Sequence, residues 1–348
     1  MRKAFAALIL IILLLMPLAA VAGYKITKVI DVGQGGSAVN GTVRWSPNGT
    51  QLAYFRGQQL YVSDTLGHSR LVTDLGLLPF RCEWASDSVL VLHLQKGPSG
   101  IEHVFEIDYL ATVDVASGQI KILKEYRRLM VGSATGDTNS FVGPKLTLEG
   151  HAYYQTNVDA PSNSKTIVGH VVNASKNDKD SSYLPGYNHY VDWGSDGAYL
   201  FNVAKSDSIR IGPAPFSNIF NRPELNRDRS YYAIGGILYR FADSTYIYID
   251  SLINLKPYPA GAIWCGICRY GDSFNPAALE IVCNVNCEAE ENVLSRGVGI
   301  FDIVTHEFIR LNSIIGKDNC EGATYSPDGR MIACRCNGHV CIIVRERE

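Results

Sequence analysis

The sequence predicts an all-β fold: a single seven-bladed β-propeller of four-stranded antiparallel blades, with six or eight as the neighbouring counts. Three observations predict it. The stretch Val43-Arg44-Trp45-Ser46-Pro47-Asn48-Gly49-Thr50-Gln51-Leu52-Ala53-Tyr54 returns near the other end as Ala323-Thr324-Tyr325-Ser326-Pro327-Asp328-Gly329-Arg330-Met331-Ile332-Ala333-Cys334. All four tryptophans fall on units of this kind. The units recur roughly every 47 residues, the length that four short antiparallel strands and their turns need.

The unit itself has a physical reading. A short strand ends in an aromatic, a Ser-Pro-Asn/Asp-Gly turn follows, and an apolar strand leaves it. Pro presets φ, Asp or Asn bonds its own backbone, and Gly takes the left-handed conformation.

Taken in order, the chain opens on Arg2 and Lys3, an apolar run over 4–18 broken only by Pro17, and Ala20-Val21-Ala22 before Gly23. That is the pattern of a cleaved signal peptide over 1–22, leaving 23–348 as the propeller domain. A retained membrane anchor is the competing reading, since the run is nearly long enough to span. No Cys stands at the cleavage point to carry lipid. The expected compartment is periplasmic or secreted, with no membrane span after cleavage.

Seven anchors follow. They are Val43-Arg44-Trp45, Cys82-Glu83-Trp84, Pro144-Lys145-Leu146, Val191-Asp192-Trp193, Pro223-Glu224-Leu225, Ala262-Ile263-Trp264 and Ala323-Thr324-Tyr325. Strand cues come after each: Gln51–Tyr54, Gln59–Ser63 and Arg70–Thr73 in the first unit; Tyr231–Ile234, Tyr246–Ile249 and a stretch near Leu252–Leu255 in the fifth. These runs are apolar on both faces, as suits a sheet sandwiched between neighbours. The second and sixth units are long, with Gly97-Pro98-Ser99-Gly100 in one and Gly271–Ala277 in the other. Such insertions mark surface loops, either on a binding face or drifting without constraint. The last unit is one strand short, and Tyr24–Val32 is placed to complete it and close the ring.

These residues resemble the TolB-type, WD-repeat-like propeller family. The resemblance rests on Trp45-Ser46-Pro47-Asn48-Gly49, Tyr325-Ser326-Pro327-Asp328-Gly329 and the weaker Trp193-Gly194-Ser195-Asp196-Gly197, and the repeats cover essentially the whole chain after residue 22. TolB itself is a periplasmic protein of the Tol–Pal envelope system and has a further N-terminal domain. The present sequence shows no such domain and counts seven units rather than six, so the resemblance implies the fold and not the TolB role.

Composition excludes little. Net charge is −2, with 46% hydrophobic and 19% charged residues, which gives no electrostatic case for nucleic acid. Eight of the nine Cys crowd into the last quarter, which in an oxidising compartment points to local disulfides. Cys265-Gly266-Ile267-Cys268 has the spacing of a zinc knuckle or a redox pair, with Cys283 and Cys287 as partners; the disulfide reading is favoured. Cys336-Asn337-Gly338-His339 reads as a two-residue hairpin turn, which sets Cys334 opposite Cys341 within bridging distance. That pair should be of the hydrogen-bonded type, which strains a cross-strand bridge.

The eight His are scattered, so the metal site found in some TolB-like pectic-oligosaccharide lyases is not supported. No G-x-S-x-G of a linked peptidase domain is present. No catalytic residue, metal or cofactor is assigned. In a propeller the first strand of each blade lines the channel, and the residues just before the anchor aromatics include Arg44, Glu83, Lys145, Asp192 and Glu224. They form either a polar funnel for a ligand or a set of charges that satisfy one another. The expected function is a monomeric binding scaffold in the cell envelope for a protein, peptide or small polar ligand. The alternative is a glycan lyase or hydrolase with its active site at a channel mouth.

Overall fold

The computed structural model describes residues 24–35, 43–96, 105–129, 141–146, 152–156, 168–171, 189–194, 197–202, 207–213, 224–226, 230–234, 236–253, 264–267, 273–289, 292–317 and 319–347. The repeated turn is built the same way at both ends of this range. Ser46 N donates to Gln51 O at 2.8 Å and Ser326 N to Met331 O at 2.8 Å. The serine Oγ accepts in return from the amide of Gln51 at 3.0 Å and of Met331 at 2.9 Å. Gly49 (φ 72°) and Gly329 (φ 73°) turn the chain back. A Cβ on Gly329 would meet Asn275 Oδ1 at 2.0 Å, so both conformation and space require glycine there.

Between such turns the chain folds into sheets in sequence order. Strands β1 (Tyr24–Gln34), β2 (Arg44–Trp45), β3 (Gln51–Arg56), β4 (Gln59–Asp64) and β5 (Ser69–Asp74) come first. Then come β6 (Leu78–Trp84), β7 (Val89–Lys96), β8 (Phe105–Asp114) and β9 (Ile120–Leu129). The third sheet has β10 (Phe141–Leu146), β11 (Ala152–Thr156) and β12 (Val168–Val171); the fourth has β13 (His189–Gly194), β14 (Gly197–Asn202) and β15 (Asp207–Pro213). The fifth has β16 (Glu224–Leu225), β17 (Tyr231–Ile234), β18 (Ile237–Arg240) and β19 (Thr245–Tyr248). The sixth has β20 (Trp264–Ile267), β21 (Ser273–Phe274), β22 (Glu280–Ala289), β23 (Asn292–Asp302) and β24 (Phe308–Arg310). The seventh has β25 (Cys320–Tyr325), β26 (Met331–Cys336) and β27 (His339–Arg347), and β1 is its fourth strand, in the order β1-β27-β26-β25. All pairings are antiparallel; among the described residues four sheets have four strands, two have three and one has five.

Second strands β3 and β7 are buried on both faces, with four and five consecutive buried residues. Fourth strands such as β5 and β19 have none. The apolar cores explain this gradient, because each lies between two sheets rather than within one. Phe55, Leu60 and Val62 pack with Trp84, Leu90 and Leu92. Leu238 and Ile249 pack with Ile281 and Phe301, and Val282 and Ile300 with Ile332 and Ile343. Trp45, Leu52 and Tyr54 pack with Ala333, Val340 and Ile342, joining the first sheet to the last.

Contacts between first strands run from β2 to β6 to β10, and from β13 through β16, β21 and β25 to β2. Aromatic anchors knit these contacts. Trp84 Nε1 donates to Arg44 O at 2.9 Å and Trp45 Nε1 to Thr324 O at 3.3 Å, each reaching back one sheet. Sequential meanders stacked face to face around their first strands are the layout of a β-propeller.

Two expectations need correction. The sixth unit turns at Phe274-Asn275-Pro276, not at Trp264: Asn275 N donates to Glu280 O at 2.9 Å, the bond that Ser46 and Ser326 make in their units. Trp264 instead opens a separate segment opposite Glu288 on the same sheet, and the apparent insertion at Gly271–Ala277 contains the true turn. In the fifth unit the segment after Tyr248 is a helical turn, Ile249–Leu252, not a strand; the third strand of that sheet is Ile237–Arg240. The Gly97–Gly100 turn lies outside the described residues.

Candidate functional site

Arg44 and Glu83, predicted to line the channel, are brought together. Arg44 Nε donates to Glu83 Oε1 at 2.9 Å, across the junction of the first and second sheets. They satisfy one another rather than present free charge. Lys145, Asp192 and Glu224 stand on the first strands of their sheets, opposite Tyr153, Tyr199 and Ala233.

A polar cleft lies elsewhere, where β25 begins and the hairpin between β26 and β27 turns. Its volume is about 340 Å³, and Arg296, Asn319, Glu321, Arg335, Asn337 and Gly338 line it. Register places its parts: Glu321 is opposite Arg335 on the last sheet, and Arg296 comes from β23 of the sixth. Glu321 pairs with both arginines. Burial, and then the charge of Arg296, lower the pKa of Arg335. Asn319 (φ 50°) and Asn337 (φ 51°) take the left-handed backbone that asparagine tolerates and that brings the two loops to the cleft wall. Asn319 Oδ1 accepts from Arg296 N at 3.3 Å. Two guanidinium forks about one carboxylate can bind a second carboxylate or a phosphate by bidentate hydrogen bonds. Sequence reasoning did not find this cleft. Its residues fall on three strands and two loops, and no local spacing marks them.

Beside the cleft, Lys317 Nζ donates to Asp31 Oδ2 at 2.6 Å, and His339 Nδ1 lies 3.1 Å from Asp31 Oδ1. Burial would raise the Asp31 pKa, but hydrogen bonds from Lys317, His339 and the Gly33 amide bring it below the usual carboxylate value.

The hairpin expectation is met in register: Cys336 pairs with His339, Arg335 with Val340 and Cys334 with Cys341. The bridge expected between Cys334 and Cys341 is not made; both are buried thiols. Cys336 is bonded instead to Cys320, with their Cα atoms 4.0 Å apart. The turn geometry supplies the reason. A two-residue Asn-Gly turn makes Cys336–His339 and Cys334–Cys341 hydrogen-bonded pairs, about 5.5 Å apart at Cα, and leaves Cys336 in the closer type of pair with β25. Cys283, also proposed to bridge, is a buried thiol, and the position opposite it is Gly299. Cys265 stands in register with Cys287, which is disulfide-bonded; Cys268 lies outside the described residues. Among the described residues no group of three or more His, Cys, Asp or Glu is placed to hold a metal ion, and no helix is long and apolar enough to cross a membrane.

No protein-family model matches the sequence, and no curated protein does. Solved structures superpose at low identity. A chain of the mitotic checkpoint complex gives a TM-score of 0.49 at 13% identity, covering 95% of each chain. An oligogalacturonate lyase in complex with manganese gives 0.36 at 10% identity, over 90% of this chain and 78% of that one. A gluconolactonase from Xanthomonas campestris gives 0.42 at 11% identity, over 93% and 95%. All three scores fall below 0.5, so neither fold nor function is argued from them.

Proposed function

We propose that this chain is a TolB-like, seven-bladed propeller, closed by its first strand and exported after loss of residues 1–22. It acts as a periplasmic or secreted binding scaffold rather than as an enzyme. Its partner is an envelope protein or peptide that places an acidic group in the cleft at the start of β25. The observation that carries this reading is the pairing of Arg296 and Arg335 on the single carboxylate of Glu321. An incoming carboxylate can share both forks with little movement of the strands that hold them.

The test uses the exported protein and the Arg296→Glu/Arg335→Glu double variant as baits in envelope extract. The variant should lose, by at least about tenfold in affinity, a partner that the parent retains; two charge-assisted contacts supply that much. Equal retention by a variant with the parent's melting temperature would overturn the reading. So would chelator-sensitive turnover of an oligosaccharide by the parent.

A further inference from the structure

Four cysteines occupy one patch of the last sheet: Cys320, Cys334, Cys336 and Cys341, each 0% exposed. Register makes the patch. Cys320 is opposite Cys336, Cys334 is opposite Cys341, and Cys334 and Cys336, two apart on one strand, share a face. Cys320 and Cys336 are bonded, while Cys334 and Cys341 keep their thiols. The Cys334 sulfur lies 3.6 Å from the Cys336 sulfur, at contact with the existing bridge. The Lys317 ammonium, bonded to the Asp31 that stands opposite Cys341, opposes the effect of burial on the Cys341 thiol.

We propose that this patch is a thiol–disulfide exchange centre, in which the bridge migrates from Cys320–Cys336 to Cys334–Cys341. In the first step the Cys334 thiolate attacks Cys336 Sγ. The Cys334–Cys336 bond forms as the Cys336–Cys320 bond breaks, and Cys320 leaves as a thiolate that takes up the proton Cys334 gave up. In the second step the Cys341 thiolate, favoured by the Lys317 charge, attacks Cys334 Sγ. The Cys334–Cys341 bond forms, the Cys334–Cys336 bond breaks, and Cys336 takes up the proton that Cys341 lost. One disulfide and two thiols stand on each side, so the isomerisation needs no oxidant or reductant.

The groups facing Cys341 set its pH dependence. Cys334 faces it from β26, Asp31 from β1, Lys317 from the loop before β25, and His339 stands two residues away on its own strand. Burial raises both thiols above the ordinary value, and the Lys317 charge opposes this at each. Exchange is therefore slow at neutral pH and quickens as the solution becomes alkaline.

The native protein, incubated at pH 7 and at pH 9, is quenched in acid, alkylated without reduction and digested with trypsin. Cleavage after Lys317, Arg330 and Arg335 puts Cys320, Cys334 and the Cys336/Cys341 pair on separate peptides. Fragmentation of the linked peptide shows which of Cys336 and Cys341 is joined. The Cys334–Cys341 bridge should accumulate faster at pH 9. Lys317→Met should slow it about tenfold, the effect of one pKa unit of lost charge stabilisation. Cys341→Ser should stop at the first step, leaving Cys320–Cys336 in exchange with Cys334–Cys336 alone. Should the variants fail to fold, the parent's own map at the two pH values decides. Cys320–Cys336 as the sole bridge of this patch after both incubations, with unchanged circular dichroism, would overturn the proposal.

Discussion

Glu280 and Arg345 are the most deeply buried ion pair described, and they join the sixth sheet to the seventh. Arg345 Nη2 donates to Glu280 Oε1 at 3.0 Å and to Oε2 at 2.8 Å. Asn275 Nδ2 donates to Oε2 at 3.0 Å and Tyr325 OH to the same oxygen at 3.3 Å. Burial, first among its causes, holds the Tyr325 hydroxyl well above its usual pKa, so it stays a donor. Glu280→Ala should cost about 3–5 kcal/mol by urea denaturation, because it strands a buried guanidinium. Replacing both residues by Met should recover most of that loss, and a double variant as weak as the single would refute the argument. At the turn, Ser326 is fully buried, and Ser326→Ala removes its bond to the Met331 amide. The expected loss is about 1 kcal/mol in the same measurement. The turn was legible because its residue types are dictated locally. The Glu280–Arg345 pair was not, since nothing within either segment points to the other.

Strand β1 is held to β27 by its register from Tyr24–Arg347 to Gln34–His339, and to the loop before β25 by the Asp31–Lys317 ion pair. The Asp31 carboxyl is depressed in the fold, so its contribution is present above the unfolded carboxylate pKa and is lost as pH falls through the folded value. The Lys317 ammonium is raised, by the Asp31 hydrogen bond against the opposing effect of burial, so its contribution is present below the unfolded lysine pKa and is lost as pH rises through the folded one. Melting temperatures of parent and Asp31→Asn should therefore differ most at mid pH and converge below the ordinary carboxylate range and above the ordinary lysine range. A difference constant across the range would exclude the ion pair as its source. Deleting residues 24–34 should abolish the single cooperative calorimetric transition, since β27 then becomes an open edge. A deletion variant that melts like the parent would show that the strand is dispensable. The hairpin after Cys336 was read from sequence to the residue because an Asn-Gly turn fixes register by itself. The sixth unit was misread because Trp264 mimics an anchor, while Phe274-Asn275-Pro276 lacks the Ser and the Gly that mark the first and last units.

Across the whole molecule the sequence conveyed the repeat and not the site. Repetition is a property of one dimension, whereas the cleft at Arg296, Glu321 and Arg335 exists only once two sheets have packed. The charges at Arg44 and Glu83 were visible as residue types, but their pairing depends on how far apart two first strands settle. Swapping them, Arg44→Glu with Glu83→Arg, should melt closer to the parent than either single reversal, and equal losses for all three variants would deny the pairing. The place of β1 carries a further consequence, for the order of synthesis. Each of the other sheets can assemble as its own strands leave the ribosome. Strand β1 emerges before all of them and pairs with β27, which emerges last. The last sheet cannot be finished until residues 339–347 have left the ribosome, and until then the first strand is an open edge available to other chains. Completing that sheet therefore waits on a pairing between distant parts of the chain, a slow kind of step, and its yield depends on what shields residues 24–34 in the meantime.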